Sequence, residues 1–121
     1  MPRWLLAMAL AMVLLVGTAS AQAAEVLQVR SGTLLQVGDR NRTYTVELAC
    51  VAVAAGRDQA AAEWLRQELP RRTKVNLRPL GSDGGTLVAR VQRLGSADAG
   101  GTSDLGSGLV AAGLANPIPD C

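Results

Sequence analysis

The residues that could carry chemistry in this sequence are few. There is no histidine, so nucleophiles lack the commonest general base, and Ser-His-Asp or Cys-His arrangements are excluded. The two cysteines, Cys50 and Cys121, are too few for a structural zinc site with four ligands. The charged side chains comprise 10 acidic and 12 basic residues, which nearly balance and demand no polyanionic partner.

The beginning of the sequence has the composition of an export signal. Arg3 gives a positive charge, an apolar run follows from Trp4 to Val16, and small residues lead to Ala-x-Ala cleavage patterns that end at Ala21 and Ala23. An uncleaved membrane anchor is the alternative, but the run is shorter than the ~20 apolar residues of a spanning helix. We therefore expect residues 1–23 to be a signal peptide and the mature protein to be periplasmic or secreted, without membrane attachment.

The remaining residues, 24–121, have the length of one domain. In an oxidising compartment a disulfide persists, so we favour a bridge between Cys50 and Cys121 over two free thiols. The bridge would close a loop of about 70 residues and stabilise the fold by roughly 3–5 kcal/mol. A group of basic residues is predicted to form a solvated face, with a nucleic-acid patch as the alternative. The group comprises Arg66, Arg71, Arg72, Lys74 and Arg78.

Alternation of apolar and polar residues predicts a mainly β fold. Strands are predicted over 25–37, with a break at Ser31-Gly32, and over 42–50, 73–80 and 86–94. Turns are predicted at 38–41 and 81–85. A loop is predicted at 95–101 and a non-helical tail at 116–121. Helices are predicted over 58–69, with Asp58 as the N-cap, and over 104–114, where three glycines weaken the helix. Strands with one helix inserted midway predict a five-stranded OB-fold barrel with a short C-terminal helix.

Five segments together resemble the staphylococcal-nuclease (thermonuclease) family, in the order and at the spacing of that family. They cover nearly all of residues 24–121 and comprise 26–37, 46–55, 64–69 with 75–77, 84–91, and 109–115. The last segment, Leu109-Val110-Ala111-Ala112-Gly113-Leu114-Ala115, is similar to the family pattern Leu-Val-x-x-Gly-Leu-Ala. The resemblance implies an OB-fold, and it supports the bridge because exported members commonly carry cysteines at these two places. The core that it leaves intact comprises Tyr44, Val46, Leu48, Leu65, Leu69, Val75, Leu77, Leu87, Ala89, Val91, Leu109 and Val110.

The resemblance also implies a site. The family cuts DNA and RNA with one calcium ion, which polarises the phosphate and positions the attacking water. Two arginines clamp the phosphate, and a glutamate is the proposed general base. Carried to this sequence, the two calcium-binding aspartates fall at Thr33 and Ala52, a carbonyl ligand at Val53, the general base at Ala55, and the two arginines at Glu47 and Thr86.

At the five positions where the family uses a side chain, this sequence carries a different residue. These positions are Thr33, Glu47, Ala52, Ala55 and Thr86. Loss of both aspartates removes the charge that retains Ca²⁺, and Glu47 places an anion where the phosphate should lie. Each lost electrostatic contact costs about 3–4 kcal/mol of the barrier. We therefore predict a chain with no catalytic residue, no metal site and no cofactor. The expected function is that of a binding or structural module, and the alternative is a calcium-dependent endonuclease that hydrolyses DNA or RNA.

The partner of such a module stays open at this point. Binding of single-stranded nucleic acid uses stacking aromatic rings, and the only aromatic residues after the signal are Tyr44 and Trp64, both predicted to lie in the core. Nucleic-acid binding is therefore weakly supported, and a protein or polysaccharide partner is equally compatible with the sequence. A decayed gene product without a role is a third hypothesis, against which the retained strand pattern and paired cysteines argue. We expect a monomer.

Overall fold

The computed structural model describes residues 23–95 and 104–121. The predicted signal peptide, apart from its last residue, and most of the predicted loop at 95–101 lie outside the described residues. The described elements, in chain order, are β1 (Ala24–Val29), β2 (Leu34–Asp39), β3 (Arg42–Leu48), β4 (Val51–Val53), α1 (Asp58–Glu68), β5 (Lys74–Asp83), β6 (Thr86–Arg93), α2 (Leu105–Ala111) and β7 (Ala115–Pro117).

Five strands close a barrel in the order β1-β2-β3-β6-β5, and β5 returns to β1. Neighbouring strands are antiparallel except β3 and β6, which run parallel with Glu47 opposite Val88. A parallel pair needs a long connection along the chain, and β4, α1 and β5 lie within it. The predicted mainly-β fold, a five-stranded OB-fold barrel with an inserted helix and a short C-terminal helix, is confirmed.

The barrel interior is filled by aliphatic side chains from alternating strand positions. The predicted core is confirmed, since its members are buried or pack against the buried cluster. Four members are only half-buried: Tyr44, Leu77, Leu87 and Val110. No polar or charged residue in the described part of the chain is buried as a whole. Because the interior holds no polar network, the hydrophobic effect is the main force that assembles the barrel.

Helix α1 packs on the core through Ala61, Ala62 and Leu65, but its first turn differs from the prediction. The helix begins at Asp58, the N-cap position is Arg57, and no side chain caps the helix. Asp58 was predicted to be that cap, and this is wrong. Its carboxylate instead accepts a hydrogen bond at 3.1 Å from the backbone N–H of Gly32, which lies 26 residues earlier. The carboxylate of Asp58 therefore bonds to a distant backbone group instead of capping its own helix. The acid still lies favourably near the positive end of the helix dipole.

Helix α2 ends earlier than predicted. Its last residue is Ala111 rather than Leu114, because Gly113 adopts a φ of 76° and turns the chain. The N–H of Gly113 donates to Val110 O and the N–H of Leu114 donates to Leu109 O, which is the Schellman pattern of a helix C-terminus. Gly113, which was expected to weaken the helix, is therefore the residue that terminates it.

Two turns lie where predicted but are shorter than predicted. Strand β2 continues through Asp39, and the turn consists of Arg40 and Asn41, whose φ values are 52° and 67°. A two-residue turn of this kind matches the twist of the strands it joins. The turn after β5 likewise shortens to Gly84 and Gly85, because β5 runs on to Asp83.

The predicted strand over 42–50 ends early, because the chain reverses at Cys50. Strand β3 stops at Leu48, and Cys50 has a φ of 68° in the turn that leads to β4. Strand β4 pairs with β7, so that Ala52 lies opposite Asn116; neither strand was predicted.

The predicted disulfide joins this turn to the end of the tail. Cys50 and Cys121 are bridged, with their Cα atoms 5.4 Å apart, and the alternative of two free thiols is wrong. The N–H of Ile118 donates to the carbonyl of Cys50 at 2.9 Å. The tail is therefore held by both a covalent bond and a short β-ladder.

Candidate functional site

The loop between β1 and β2 forms the centre of the region that the family resemblance indicates. It packs closely on β4 and α1 at Gly32, where a Cβ atom would lie 2.9 Å from both Val53 Cγ2 and Ala61 Cβ. Any side chain at this position would force the loop away. Together with the bond from Gly32 to Asp58, this contact fixes where the next residue, Thr33, is presented.

Thr33 and Glu47 are brought together by the backbone. The carbonyl of Thr33 accepts a hydrogen bond at 2.8 Å from the N–H of Leu48, so Thr33 lies beside the end of β3. Glu47 is the preceding residue; it is exposed and lies between Leu34 of β2 and Val88 of β6. The prediction that positions 33 and 47 share one region is therefore consistent with the fold.

Thr86 lies on the same outer face of the barrel as Glu47. It is the first residue of β6, two positions before Val88, the partner of Glu47. Because side chains alternate along a strand, residues 86 and 88 are on one face, and cross-strand partners share a face. Thr86 is half-buried there. Two of the five positions, Glu47 and Thr86, thus belong to one outer surface, formed by β2, β3 and β6, whereas Thr33 precedes β2 and is joined to the end of β3 through its backbone bond to Leu48.

The other two positions follow the Cys50 turn. Ala52 is an exposed residue of β4, and Ala55 is exposed in the connection from β4 to α1. Val53, between them, packs against Gly32 through its side chain. Ala52 and Ala55 therefore lie close in sequence to Val53, the residue that contacts the β1–β2 loop, and among the described residues neither forms a backbone hydrogen bond to Leu34, Glu47 or Val88.

The side chains present at these positions do not suit a calcium ion. They offer one carboxylate, two hydroxyl groups and two methyl groups, whereas Ca²⁺ takes six to eight oxygen ligands with carboxylates prominent. Within residues 23–95 and 104–121, no three residues of the His, Cys, Asp or Glu type lie close enough to hold a metal ion. The carboxylate of Glu47 also repels a phosphate group. Neither metal-assisted attack nor a phosphate clamp can be derived from this set.

The two aromatic residues in the described part of the chain are not presented for stacking. Tyr44 and Trp64 are both half-buried and pack against the core cluster. The outer surface beside Glu47 instead offers Leu34 and Val88, which are half-buried. The outer face of β2, β3 and β6 around Glu47 therefore mixes apolar, polar and charged side chains, namely Leu34, Thr86, Val88 and Arg90, and none of these is an aromatic ring of the kind that a nucleic-acid binder uses for stacking.

The predicted basic face is divided among several elements. All five of its side chains are exposed. The guanidinium of Arg66 donates to Val29 O at 3.4 Å, Lys74 forms an ion pair with Glu25, and Arg78 of β5 lies opposite Arg90 of β6. The residues are solvated, as predicted; Arg66 and Arg71 line one cavity, and the charges of Arg72 and Lys74 both act on Glu25.

The ion pair between Lys74 and Glu25 joins β5 to β1 where the barrel closes. A hydrogen bond from the Lys74 ammonium, and then its charge, hold the pKa of the Glu25 carboxyl below its ordinary value of 4.5. Lys74 is exposed and Glu25 is partly exposed, so the pair contributes little to stability and is weakened by salt.

One contact near the disulfide was not predicted from the sequence. The guanidinium of Arg90 donates to Cys50 Sγ at 3.4 Å. Strand alternation places Arg90 on the outer face, but only the turn at Cys50 brings the sulfur to it, and no local pattern indicates that turn. A cavity of about 280 Å³ lies beside this contact, between Val51 and the N-terminus of α2.

Comparisons with known proteins add no further constraint. No model of a known protein family matches the chain, and no curated protein matches it. Neither helix in the described ranges is long and apolar enough to traverse a lipid bilayer.

Proposed function

We propose that this chain is an exported, non-catalytic thermonuclease-like OB-fold domain that acts in the periplasm or outside the cell as a binding or structural module. The observation that carries the proposal is the exposed carboxylate of Glu47, on the outer surface between Leu34 and Val88. An active site of the thermonuclease type would need a guanidinium at this place.

The surroundings of Glu47 support the same proposal. Thr86 lies on the same outer face and Thr33 is bonded through its backbone to the next residue, Leu48, and neither threonine carries a charge. Fold alone does not carry an activity, because the activity resides in the site. A rigid barrel with a disulfide-anchored tail is retained, and such a scaffold suits a module that presents a surface rather than one that turns over a substrate.

Export is supported by the disulfide and by the sequence of the first residues. A bridge such as Cys50–Cys121 persists in oxidising compartments and is rare in the cytosol. Residues 1–23 carry the export-signal pattern. Recovery of the protein from the periplasmic fraction or the medium, with residues 1–23 removed, is the expected outcome; a cytosolic precursor would contradict it.

The activity test incubates the purified mature protein with single-stranded DNA in the presence of Ca²⁺ or EGTA. We expect no cleavage in either condition. Calcium-dependent cleavage that changes when Glu47 is replaced by arginine would overturn the proposal in favour of a calcium-dependent endonuclease. Glu63→Arg, which makes the same charge change on an exposed face of α1, is the matched control.

A second variant introduces the side chains of the family pattern at all five positions. It carries Thr33→Asp, Glu47→Arg, Ala52→Asp, Ala55→Glu and Thr86→Arg together. If these positions correspond to the family site, this variant acquires calcium binding, measured by calorimetry, which the unmodified protein lacks. Binding heat in the unmodified protein would contradict the proposal.

A further inference from the structure

The two halves of the Cys50–Cys121 bridge have different surroundings. Cys121 is the last residue of the sequence and is exposed, and it ends an exposed segment that begins at Asn116. Cys50 is half-buried in the turn between β3 and β4. A reagent in solution therefore reaches Cys121 more easily than Cys50.

The sulfur of Cys50 also faces a cation. Nη2 of Arg90 donates to Cys50 Sγ at 3.4 Å. The backbone holds these two residues beside each other, because the N–H of Ala49 donates to the carbonyl of Ala89 at 2.9 Å. Arg90 is itself half-buried on β6. The guanidinium is therefore positioned against one particular sulfur of the bridge.

The charged groups around Arg90 do not neutralise it. Asp104 lines the same cavity of about 280 Å³, but its carboxylate accepts hydrogen bonds from the N–H and the hydroxyl of Ser107. Arg78, the cross-strand partner of Arg90, is a second cation and is exposed. Within residues 23–95 and 104–121, Arg90 forms no salt bridge. Its positive charge can therefore stabilise negative charge on Cys50 Sγ.

We propose that the bridge is a site of thiol–disulfide exchange, at which the thiolate of a low-molecular-mass thiol attacks Cys121 and Cys50 is the leaving group. The incoming sulfur bonds to Cys121 Sγ while the bond between Cys50 and Cys121 breaks. The electron pair of that bond stays on Cys50 Sγ, so the sulfur of Cys50 is reduced and the incoming sulfur is oxidised. The products are a mixed disulfide on Cys121 and a thiolate on Cys50; the proton of the incoming thiol is released to solvent.

Two effects favour this direction of exchange. The attacking sulfur must reach the attacked sulfur from the side opposite the leaving sulfur, and the exposure of Cys121 gives that access. Exchange is also faster when the leaving thiolate is stabilised, and a neighbouring guanidinium stabilises a thiolate. The opposite direction requires attack at the half-buried Cys50 and makes no use of the contact from Arg90 to the leaving sulfur.

Exchange would leave the tail attached through backbone bonds alone. The N–H of Ile118 donates to the carbonyl of Cys50, and β7 pairs with β4 through three residues. The group added to Cys121 would thus lie on an exposed chain end beside the cavity that both cysteines line. This reactivity depends on the bridge and on Arg90 and is independent of whether the protein cuts nucleic acid.

The test treats the purified oxidised protein with 2-mercaptoethanol near neutral pH, without denaturant. The reaction is stopped early with acid, free thiols are alkylated, and peptide mass spectrometry locates the added group. We expect about tenfold more adduct on Cys121 than on Cys50. Equal amounts, as exchange through unfolding would give, or an excess on Cys50 overturn the proposal. A bridge that reacts only after urea is added also overturns it.

The role of the cation is tested with Arg90→Gln. We expect the bridge to open about threefold more slowly in this variant, because the leaving thiolate loses its stabilising charge. Arg78→Gln is the matched control, since it removes the same charge from the exposed cross-strand neighbour, and it should change the rate by less than about twofold. An equal or faster rate in Arg90→Gln, or equal slowing in both variants, overturns the proposal. If Arg90→Gln does not fold, the distribution of adduct in the unmodified protein decides.

Discussion

The indole ring of Trp64 on α1 lies directly against Gly108 on α2. A Cβ atom at Gly108 would be 2.5 Å from Trp64 Cη2, well inside van der Waals contact. The two helices therefore meet at a place where only a hydrogen atom fits. A glycine in the middle of a seven-residue helix, which propensity alone disfavours, is explained by this contact.

Replacing Gly108 by alanine should destabilise the protein although it raises helix propensity. The propensity gain is about 1 kcal/mol, whereas forcing an extra group into a packed contact costs about 1–3 kcal/mol. We expect a net loss of up to about 2 kcal/mol in the free energy of unfolding, measured by urea denaturation. In a Trp64→Leu background the loss should shrink, because the smaller side chain leaves room.

Gly81→Ala is the control for this prediction, because a Cβ atom there meets nothing within 4 Å. Its effect should stay within about 0.5 kcal/mol. A stability raised by about 1 kcal/mol in Gly108→Ala would contradict the prediction, because it would show that the two helices separate without cost and leave only the gain in helix propensity.

Asp58→Ala should loosen the loop between β1 and β2. The variant removes the acceptor of the Gly32 N–H and an acid from the first turn of α1. Hydrogen bonds to charged groups contribute about 1.5–3 kcal/mol, and the exposure of Asp58 lowers this, so we expect a loss of about 1 kcal/mol. Hydrogen exchange should show faster exchange of the Gly32 amide. Glu63→Ala, on the same helix and exposed, should leave that amide unchanged; equal exchange in both variants contradicts the prediction.

Removal of the disulfide should cost more than any single surface change. The bridge spans 71 residues of sequence, and on the chain-entropy model its loss lowers the free energy of unfolding by about 3–5 kcal/mol. We expect Cys50→Ser, Cys121→Ser and the double variant to be similarly destabilised, because each abolishes the same bond. Non-reducing mass spectrometry of the unmodified protein should give a mass lower by two hydrogens than after reduction. Equal masses would contradict the bridge.

The ion pair at the barrel closure makes a small contribution that depends on pH. Because Lys74 lowers the pKa of Glu25 in the folded state, its contribution is present above about pH 4.5, the ordinary pKa of the group, and is lost as the pH falls through the lower folded-state pKa. Glu25→Gln should therefore reduce the acid sensitivity of unfolding at low salt, and high salt should remove the difference. An identical pH profile at low salt would contradict the pairing.

The strands of the barrel could be predicted because their signal is local. Alternation in β3 and β6 indicates the inward residues Val46, Ala89 and Val91, which are fully buried. Strands β4 and β7 have three residues each and no alternation to detect. They exist because the disulfide and the Cys50 turn bring two distant segments together, and sequence patterns do not encode such pairing.

The candidate site, like the fold, could be predicted from the sequence only in part. The resemblance to a family indicated positions 33, 47 and 86; the pairing of β3 with β6 sets 47 and 86 on one outer face, and a backbone bond joins 33 to Leu48 at the end of β3. The role of Asp58 could not be predicted, since an acid before a helix usually caps it. Its actual partner, Gly32, becomes available only when the loop folds onto α1.

The covalent ring closed between residues 50 and 121 has a mechanical consequence. A pulling force applied at Cys121 passes through the sulfur bridge to Cys50, so the chain between them carries no tension while the bridge is intact. Strands β5 and β6 and both helices lie within this shielded stretch, whereas β1, β2 and β3 bear the load. When the oxidised molecule is stretched from its two ends, its length should therefore increase only by the extension of the residues before position 50. Reduction of the disulfide should then add the contour length of the chain between positions 50 and 121.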